Sequence, residues 1–397
     1  MNLLKWILPG LVWFCTNGAT AQYTSTAFYM VAHQDDWQYF MGSDAWQDLK
    51  NKDTKVVFIY LTAGDACKGC RTCASGFPYF ASREEGAKNA VYLAKDEERN
   101  PQEVSAATPN RMTWFNGHAV ARWQFKNVVK YFIRLPDGRV HEKNGNAYIC
   151  RLNDTDSCII NYFRRGLLTN LADITGGAIY QHWRELAATI SSVMRYETNG
   201  TASFLHTHEF SPTLNAGTHP DHRETGLLAD FVRLQLPGLV TFFHLDYITQ
   251  NMDENLTVTE SKAESDLFLA YDAAKTSYNC LTDYYLKGME WCKRNYISRT
   301  ETTPPSAPGK VGQPFFVVEY SSGNQGNISL RVNLPTPDII SCLLYDINGN
   351  VFRIATDQPV ESTGIYIFRL EPVNTGIYLV KIFSKSGLRT DAKIFIK

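Results

Sequence analysis

Apolar residues in the first two thirds of the chain follow two alternating patterns. Short continuous runs, rich in branched and aromatic residues, alternate with stretches whose apolar positions repeat at helical spacing. Ser25 to Ala32 (STAFYMVA) and Lys55 to Thr62 (KVVFIYLT) are runs of the first kind and predict buried strands. The second run is closed by Ala63-Gly64-Asp65, and Ser203 to His208 and Leu239 to Tyr247 also read as strands. Helical spacing covers Trp37 to Leu49, Ser82 to Ala94, Tyr180 to Arg195 and His219 to Arg233. In Ser82 to Ala94 a Ser cap and early acids strengthen the prediction. The alternation predicts an α/β fold, a mostly parallel sheet covered by helices on both faces. Sites in such sheets form at the carboxyl ends of the strands.

The pattern changes after residue 297. Ser298 to Pro314 (SRTETTPPSAPGKVGQP) is rich in Pro, Thr, Ser and Gly and predicts an extended, mobile linker. Beyond it, Asn327 to Leu334, Ile339 to Tyr345, Val351 to Ala355, Gly364 to Leu370 and Tyr378 to Phe383 alternate as strands do. Turn residues Asn348-Gly349-Asn350 and Ser386-Gly387 punctuate them. Residues 315–397 thus predict a small all-β sandwich, without a His–Asp cluster of its own. At the other end, Lys5, the apolar run Trp6 to Phe14 and Ala19-Thr20-Ala21 have the form of a signal peptide over residues 1–21. The run is too short to span a bilayer, and no later stretch reaches that length. The α/β domain is therefore expected over 22–297, in an exported chain.

Composition changes this picture in two places. The net charge of -1 provides no field for nucleic acid or anionic lipid, so neither is expected as a partner. Export leaves eight of the nine cysteines, an even number that favours disulfides. Cys150 with Cys158, and Cys280 with Cys292, are plausible local pairs. Cys67-x-x-Cys70-x-x-Cys73 reads as a disulfide-pinned loop in preference to a metal or redox site, because no fourth ligand follows closely.

Two segments carry chemistry. Ala32-His33-Gln34-Asp35-Asp36 follows the first strand directly, and His219-Pro220-Asp221-His222 opens a helix after the Gly217-Thr218 turn. Alone, the first is a polar loop whose acids cap a helix, and the second a surface pair. Together they fall where an α/β sheet places its site. A catalytic zinc keeps three protein ligands and an open position for water, whose pKa falls towards ~7. His33, Asp36 and His222 supply such a set. Asp35, adjacent to a ligand, fits a general base. His219, on the same helix face as His222, fits a donor to an oxyanion or to a leaving amine. Asp221 fits a partner that orients one of the imidazoles. His206 and His208 share a face of one strand and offer either alternative ligands or a structural residue and a rim residue. His118, His141, His182 and His244 lack a partner motif and read as structural.

At these residues the chain resembles the PIG-L/LmbE zinc deacetylases. The resemblance runs from Thr24 to Ser277 and takes in Thr62-Ala63-Gly64-Asp65, the helix with Arg83, Glu85 and Ala90, and the Pro136-Asp137-Gly138 turn. It implies a Rossmann-like sheet, zinc on His33, Asp36 and His222, Asp35 as base, His219 as second catalytic group, and Arg83 as a substrate contact. Two positions depart from the family pattern. Gln34 stands in place of the usual Pro, and Trp37 in place of an acid. Trp37 either offers an aromatic face to a substrate or packs its helix on the sheet. The second block resembles a type IX secretion C-terminal sorting domain, through Leu344-Tyr345-Asp346-Ile347-Asn348-Gly349, Thr375-Gly376-Ile377-Tyr378-Leu379-Val380-Lys381 and the terminal Lys393-Ile394-Phe395-Ile396-Lys397. That implies a Gram-negative bacterium and release or anchoring at the cell surface.

The expectation is a secreted, zinc-dependent enzyme that hydrolyses an N-acyl group, probed first as the N-acetyl of an amino sugar or glycan. A carbohydrate-binding protein that keeps the cleft without catalysis is the alternative. A thiol redox protein built on Cys67, Cys70 and Cys73 is a third reading, which requires a free thiol pair.

Overall fold

The computed structural model describes residues 23–65, 73–96, 110–138, 142–143, 146–147, 158–198, 201–282, 288–304, 315–321, 327–333, 337–346, 348–360, 363–369, 374–385 and 389–396. The expected signal peptide, Cys67, Cys70, Cys150 and His141 lie outside these residues.

Five parallel strands form the centre of an eight-stranded mixed sheet. In spatial order these are β7 (Val240–His244), β6 (Ala202–His208), β1 (Ser25–Val31), β2 (Thr54–Thr62) and β5 (Val128–Leu135). Antiparallel strands flank the parallel ones: β8 (Ile297–Thr302) at the edge beside β7, and β4 (His118–Phe125) and β3 (Arg111–Phe115) beyond β5. The central strands are buried on both faces, which explains their continuous apolar runs. Alternate residues of β1 and β2 serve two cores. Phe28, Met30, Val57 and Ile59 face one. Tyr29, Val31, Phe58 and Tyr60 face the other.

Helices cover both faces, as the alternation predicts. α4 (Ile159–Arg164), α5 (Trp183–Thr198) and α6 (Pro220–Arg233) close the first core. α1 (Asp36–Phe40), α2 (Gly42–Lys50), α3 (Tyr79–Ala94) and α7 (Val258–Ser277) close the second. The single helix expected over Trp37 to Leu49 is two, because the backbone leaves helical geometry at Met41. α3 starts three residues before the expected cap; Ser82 lies inside it and bonds back to the Tyr79 carbonyl. α5 likewise starts at Trp183 and not at Tyr180.

The start of the expected linker is ordered as the edge strand β8, paired with β7 from Val240 to His244. Residues 305–314 lie outside the described residues. The remainder is antiparallel β-structure. One four-stranded sheet has the order β12 (Val351–Val360), β11 (Asp338–Asp346), β14 (Gly376–Ser384), β15 (Arg389–Ile396). The other three strands, β9 (Phe315–Ser321), β10 (Asn327–Asn333) and β13 (Thr363–Arg369), continue the main sheet, with Val318 and Glu319 of β9 pairing Trp114 and Thr113 of β3. No helix among the described residues is long and apolar enough to cross a membrane.

The cysteine expectations need correction. Cys280 pairs with Cys73, not Cys292, across 207 residues of sequence. The bond ties the start of α3 to the end of α7 within a small cluster that includes Tyr79 and Tyr278. Cys158, Cys292 and Cys342 are free and buried, so the eight cysteines expected to pair do not all do so. Thiol labelling checks this directly. The native, non-reduced protein is expected to shield all three of these thiols, and unfolding without reductant to release at least three. Fewer than three released thiols would contradict the assignment.

Candidate metal centre

Each central strand delivers a polar group at or just beyond its carboxyl end. β1 is followed by His33 and Asp36, β2 by Asp65, β5 by Asp137, and β7 by Asp246, while β6 ends on His208. α6 adds its first turn. His219 is its N-cap and accepts the Asp221 backbone N–H on Nδ1 at 3.2 Å, with Pro220 at the first helical position. His222 then points inward, fully buried. Gly226, one turn on, allows this approach. A Cβ there would lie 2.3 Å from the His208 carbonyl oxygen. With glycine, α6 closes on β6 and the His222 ring stacks on His208, centroids 4.2 Å apart.

The structure brings His33, Asp36 and His222 together. His33 Nδ1 lies 3.3 Å from Asp36 Oδ1 and 3.2 Å from His222 Nε2, and those two are 3.0 Å apart. Ligand atoms around a tetrahedral ion with bonds of about 2.0 Å stand about 3.3 Å apart. The three donors therefore match one face of such a tetrahedron. Their outer atoms are held in place as well. Asp36 Oδ2 accepts the His33 backbone N–H at 2.6 Å and lies 3.3 Å from His208 Nε2. His33 turns Nε2 to Asp137 (3.4 Å) and Asp221 (3.7 Å). His222 turns Nδ1 to Asp246, 3.0 Å away. A carboxylate behind each imidazole fixes the tautomer that leaves a lone pair for the ion.

Charge points the same way. Burial opposes ionisation of Asp36, yet His222 and His33 hold its carboxyl well below the usual range. Asp137 and Asp246 are depressed against burial in the same manner, by His33 and by the His208–His222 pair. Burial also disfavours charge on the rings, but Asp36 with Asp137 keeps His33 well above the usual histidine range, and Asp36 with Asp246 lifts His222 to about 9. Asp221 goes up to about 6 through burial, with the Asp137 charge adding to it. Without a cation, protonated imidazoles must balance these buried carboxylates. A divalent ion on their lone pairs supplies the same charge. The residues present fit a metal.

Asp35 has its own partner. It occupies the N-cap position of α1 but makes no capping hydrogen bond. Instead it forms an ion pair with Arg83 Nη2 from α3. Gly64 makes room for this pair. Its φ is +60°, and a Cβ there would lie 2.3 Å from Gln34 Oε1 and 2.7 Å from Arg83 Nε. Gln34 is buried and donates from Nε2 to the Thr62 carbonyl at 3.0 Å, tying the first motif to the end of β2. Arg83, expected as a substrate contact, is 7 % exposed and pairs with Asp35. Trp37 is fully buried and packs on Phe58 at 4.6 Å. The packing alternative therefore holds for Trp37, and its ring does not face a substrate.

His219 lines a cleft of about 230 Å³ together with Asn161, Asn215, Arg223, Glu224 and Tyr247. Burial and the neighbouring His33 and His222 charges lower its pKa to about 3. Asp137 and Asp246 are the supporting residues that motif reading assigned no role. Their signal was position alone: each lies two residues past a strand end. His208 is a buried wall of the site and not a rim residue. His244, read as structural, clusters with His206 and Asp44. His118 stands 3.2 Å from Glu185, and His182 Nδ1 accepts the Glu185 backbone N–H, both structural contacts.

No family model, curated protein or solved structure matches this chain.

The carboxylate behind His222 gives a test. Asp246→Asn is expected to weaken divalent-ion binding at this centre by about 10–100-fold. Competition against a chromophoric chelator measures it, and wild-type affinity in the variant would remove Asp246 from the supporting set.

Proposed function

We propose that the chain is a zinc-dependent hydrolase of N-acyl amides, acting on the N-acetyl group of an amino sugar or glycoconjugate, as its likeness to the PIG-L/LmbE deacetylases implies. The observation that carries this reading is the triangle of His33 Nδ1, Asp36 Oδ1 and His222 Nε2, with edges near those of a tetrahedral ion's ligands. When bound there, zinc supplies a Lewis acid for the scissile carbonyl and for water.

The chain's own groups do the rest. Asp35 takes a proton from the attacking water as the new C–O bond forms. It returns that proton to the nitrogen as the C–N bond breaks, leaving a free amine and a carboxylic acid, which gives up its own proton to solvent. Arg83 holds Asp35 in place as a positioning residue. His219 accepts the Asp221 N–H on Nδ1, so its proton sits on Nε2. It acts from there as a neutral donor to the oxyanion. Asp221 and Asp137 orient His33, and Asp246 orients His222. The cleft beside His219 is lined by amides, charged groups and one phenol, which suits a hydroxyl-rich substrate.

Acetate release from a panel of N-acetylated glycans tests the reading, with added zinc and a chelator control. Asp35→Asn is expected to lower kcat by about 10²–10⁴-fold while retaining the metal. Full activity in that variant would reject Asp35 as base. Glycan binding without acetate release, in metal-replete protein, would favour the carbohydrate-binding alternative.

We further propose that residues 315–397 act as a type IX secretion signal that delivers the enzyme to the cell surface, on the strength of the strand motifs quoted above. Fused to a periplasmic reporter in a type IX-competent host, this segment is expected to carry it to the surface. Retention of the fusion in the periplasm would count against the assignment.

A further inference from the structure

A second group of ligand-type side chains lies outside this centre: Asp44 on α2, His206 on β6 and His244 at the end of β7. The proposed hydrolysis uses none of them. His206 Nδ1 and His244 Nε2 stand 2.9 Å apart. Asp44 Oδ2 lies 4.0 Å from the first and 3.9 Å from the second. A point about 2.1 Å from all three atoms exists in the plane they define, within the span of zinc–nitrogen and zinc–oxygen bonds.

The surroundings order all three donors and fix the ligating tautomer of His244. Asn295 donates from Nδ2 to Asp44 Oδ2 at 2.8 Å and to Ser43 Oγ at 2.7 Å. Its Oδ1 is therefore the acceptor that faces His244 Nδ1 at 3.0 Å. His244 carries its proton on Nδ1 and presents the Nε2 lone pair to the cluster. The His206 ring is clamped between Tyr29 and Phe242, centroids 4.6 and 4.8 Å away. Both imidazoles are buried, while the Asp44 side chain is 31 % exposed and gives an ion its way in. A His206–His244 hydrogen bond alone would explain the 2.9 Å contact. It would not explain why a carboxylate oxygen stands at nearly equal distance from both nitrogens.

We propose that Asp44, His206 and His244 form a second divalent-metal site of zinc type, which pins α2 to strands β6 and β7. Two imidazoles and one carboxylate select zinc-class ions over magnesium or calcium, which prefer all-oxygen shells.

Titration of chelator-stripped full-length protein tests this. Cobalt(II) reports coordination through its visible absorption, and zinc(II) is followed by chelator competition. The wild-type protein is expected to take two equivalents. Asp44→Asn, His206→Ala and His33→Ala should each take one, and His33→Ala with Asp44→Asn none. Circular dichroism of the stripped variants checks their fold, and the partly exposed Asp44 position keeps the test valid if His206→Ala does not fold. Zinc should raise the Tm of His33→Ala but not that of the double variant. A single wild-type equivalent, removed by His33→Ala, would overturn the second site and leave the first standing. Two equivalents unaffected by Asp44→Asn and His206→Ala would overturn it as well. An equivalent that depends on Asp44 but none that depends on His33 would support this site and count against the proposed hydrolase.

Discussion

Asp36, Asp137 and Asp246 are buried within a few ångströms of one another's imidazole partners, and these histidines hold each carboxyl below its usual range against the cost of burial. Carboxylates in a dry interior are costly unless a cation answers them. The nearest candidates are His33 and His222, and both turn their remaining nitrogen atoms to the same point. The arrangement around that point follows from this one requirement. Strand ends bring the acids, the start of α6 brings a ring, and Gly226 removes the side chain that would keep them apart. A helix amino terminus aimed at the pocket adds a fixed favourable field for Asp221 and the anions near it.

The layered fold was legible in the chain because burial on both faces leaves a plain mark, the unbroken apolar runs of β1 and β2. Helix limits were less legible. Ser82 looks like a cap, but its hydroxyl bonds inside α3 and Pro78 takes the cap position. The triad was readable because its residues sit in two short motifs. Asp137 and Asp246 were not, since a lone acid after a strand resembles any turn residue until the strand order is known. Arg83 and Trp37 show the converse. Both lie in suggestive places, yet only three-dimensional packing reveals that one is bound to Asp35 and the other is core.

The disulfide illustrates how weak sequence proximity is as a guide to pairing. Cys280 has Cys292 nearby in the chain, but Cys73 is the partner that packing brings to it, 4.5 Å away between Cα atoms. Closing so long a loop limits the unfolded chain more than a local bridge would. It also secures the two helices, α3 and α7, that carry Arg83 and back the α1–α2 segment.

The spacing of histidines along β6 couples the two clusters. His206 and His208 are two residues apart, so they share one face of the sheet, yet they belong to different clusters. The strand's pairing with β1, Tyr29 against His206, fixes both at once. A slip of one residue would turn both rings into the opposite core. The two clusters therefore have a common point of failure, and an insertion or deletion within this seven-residue strand would disable both together. The same coupling means that neither histidine position can drift along the strand independently of the other.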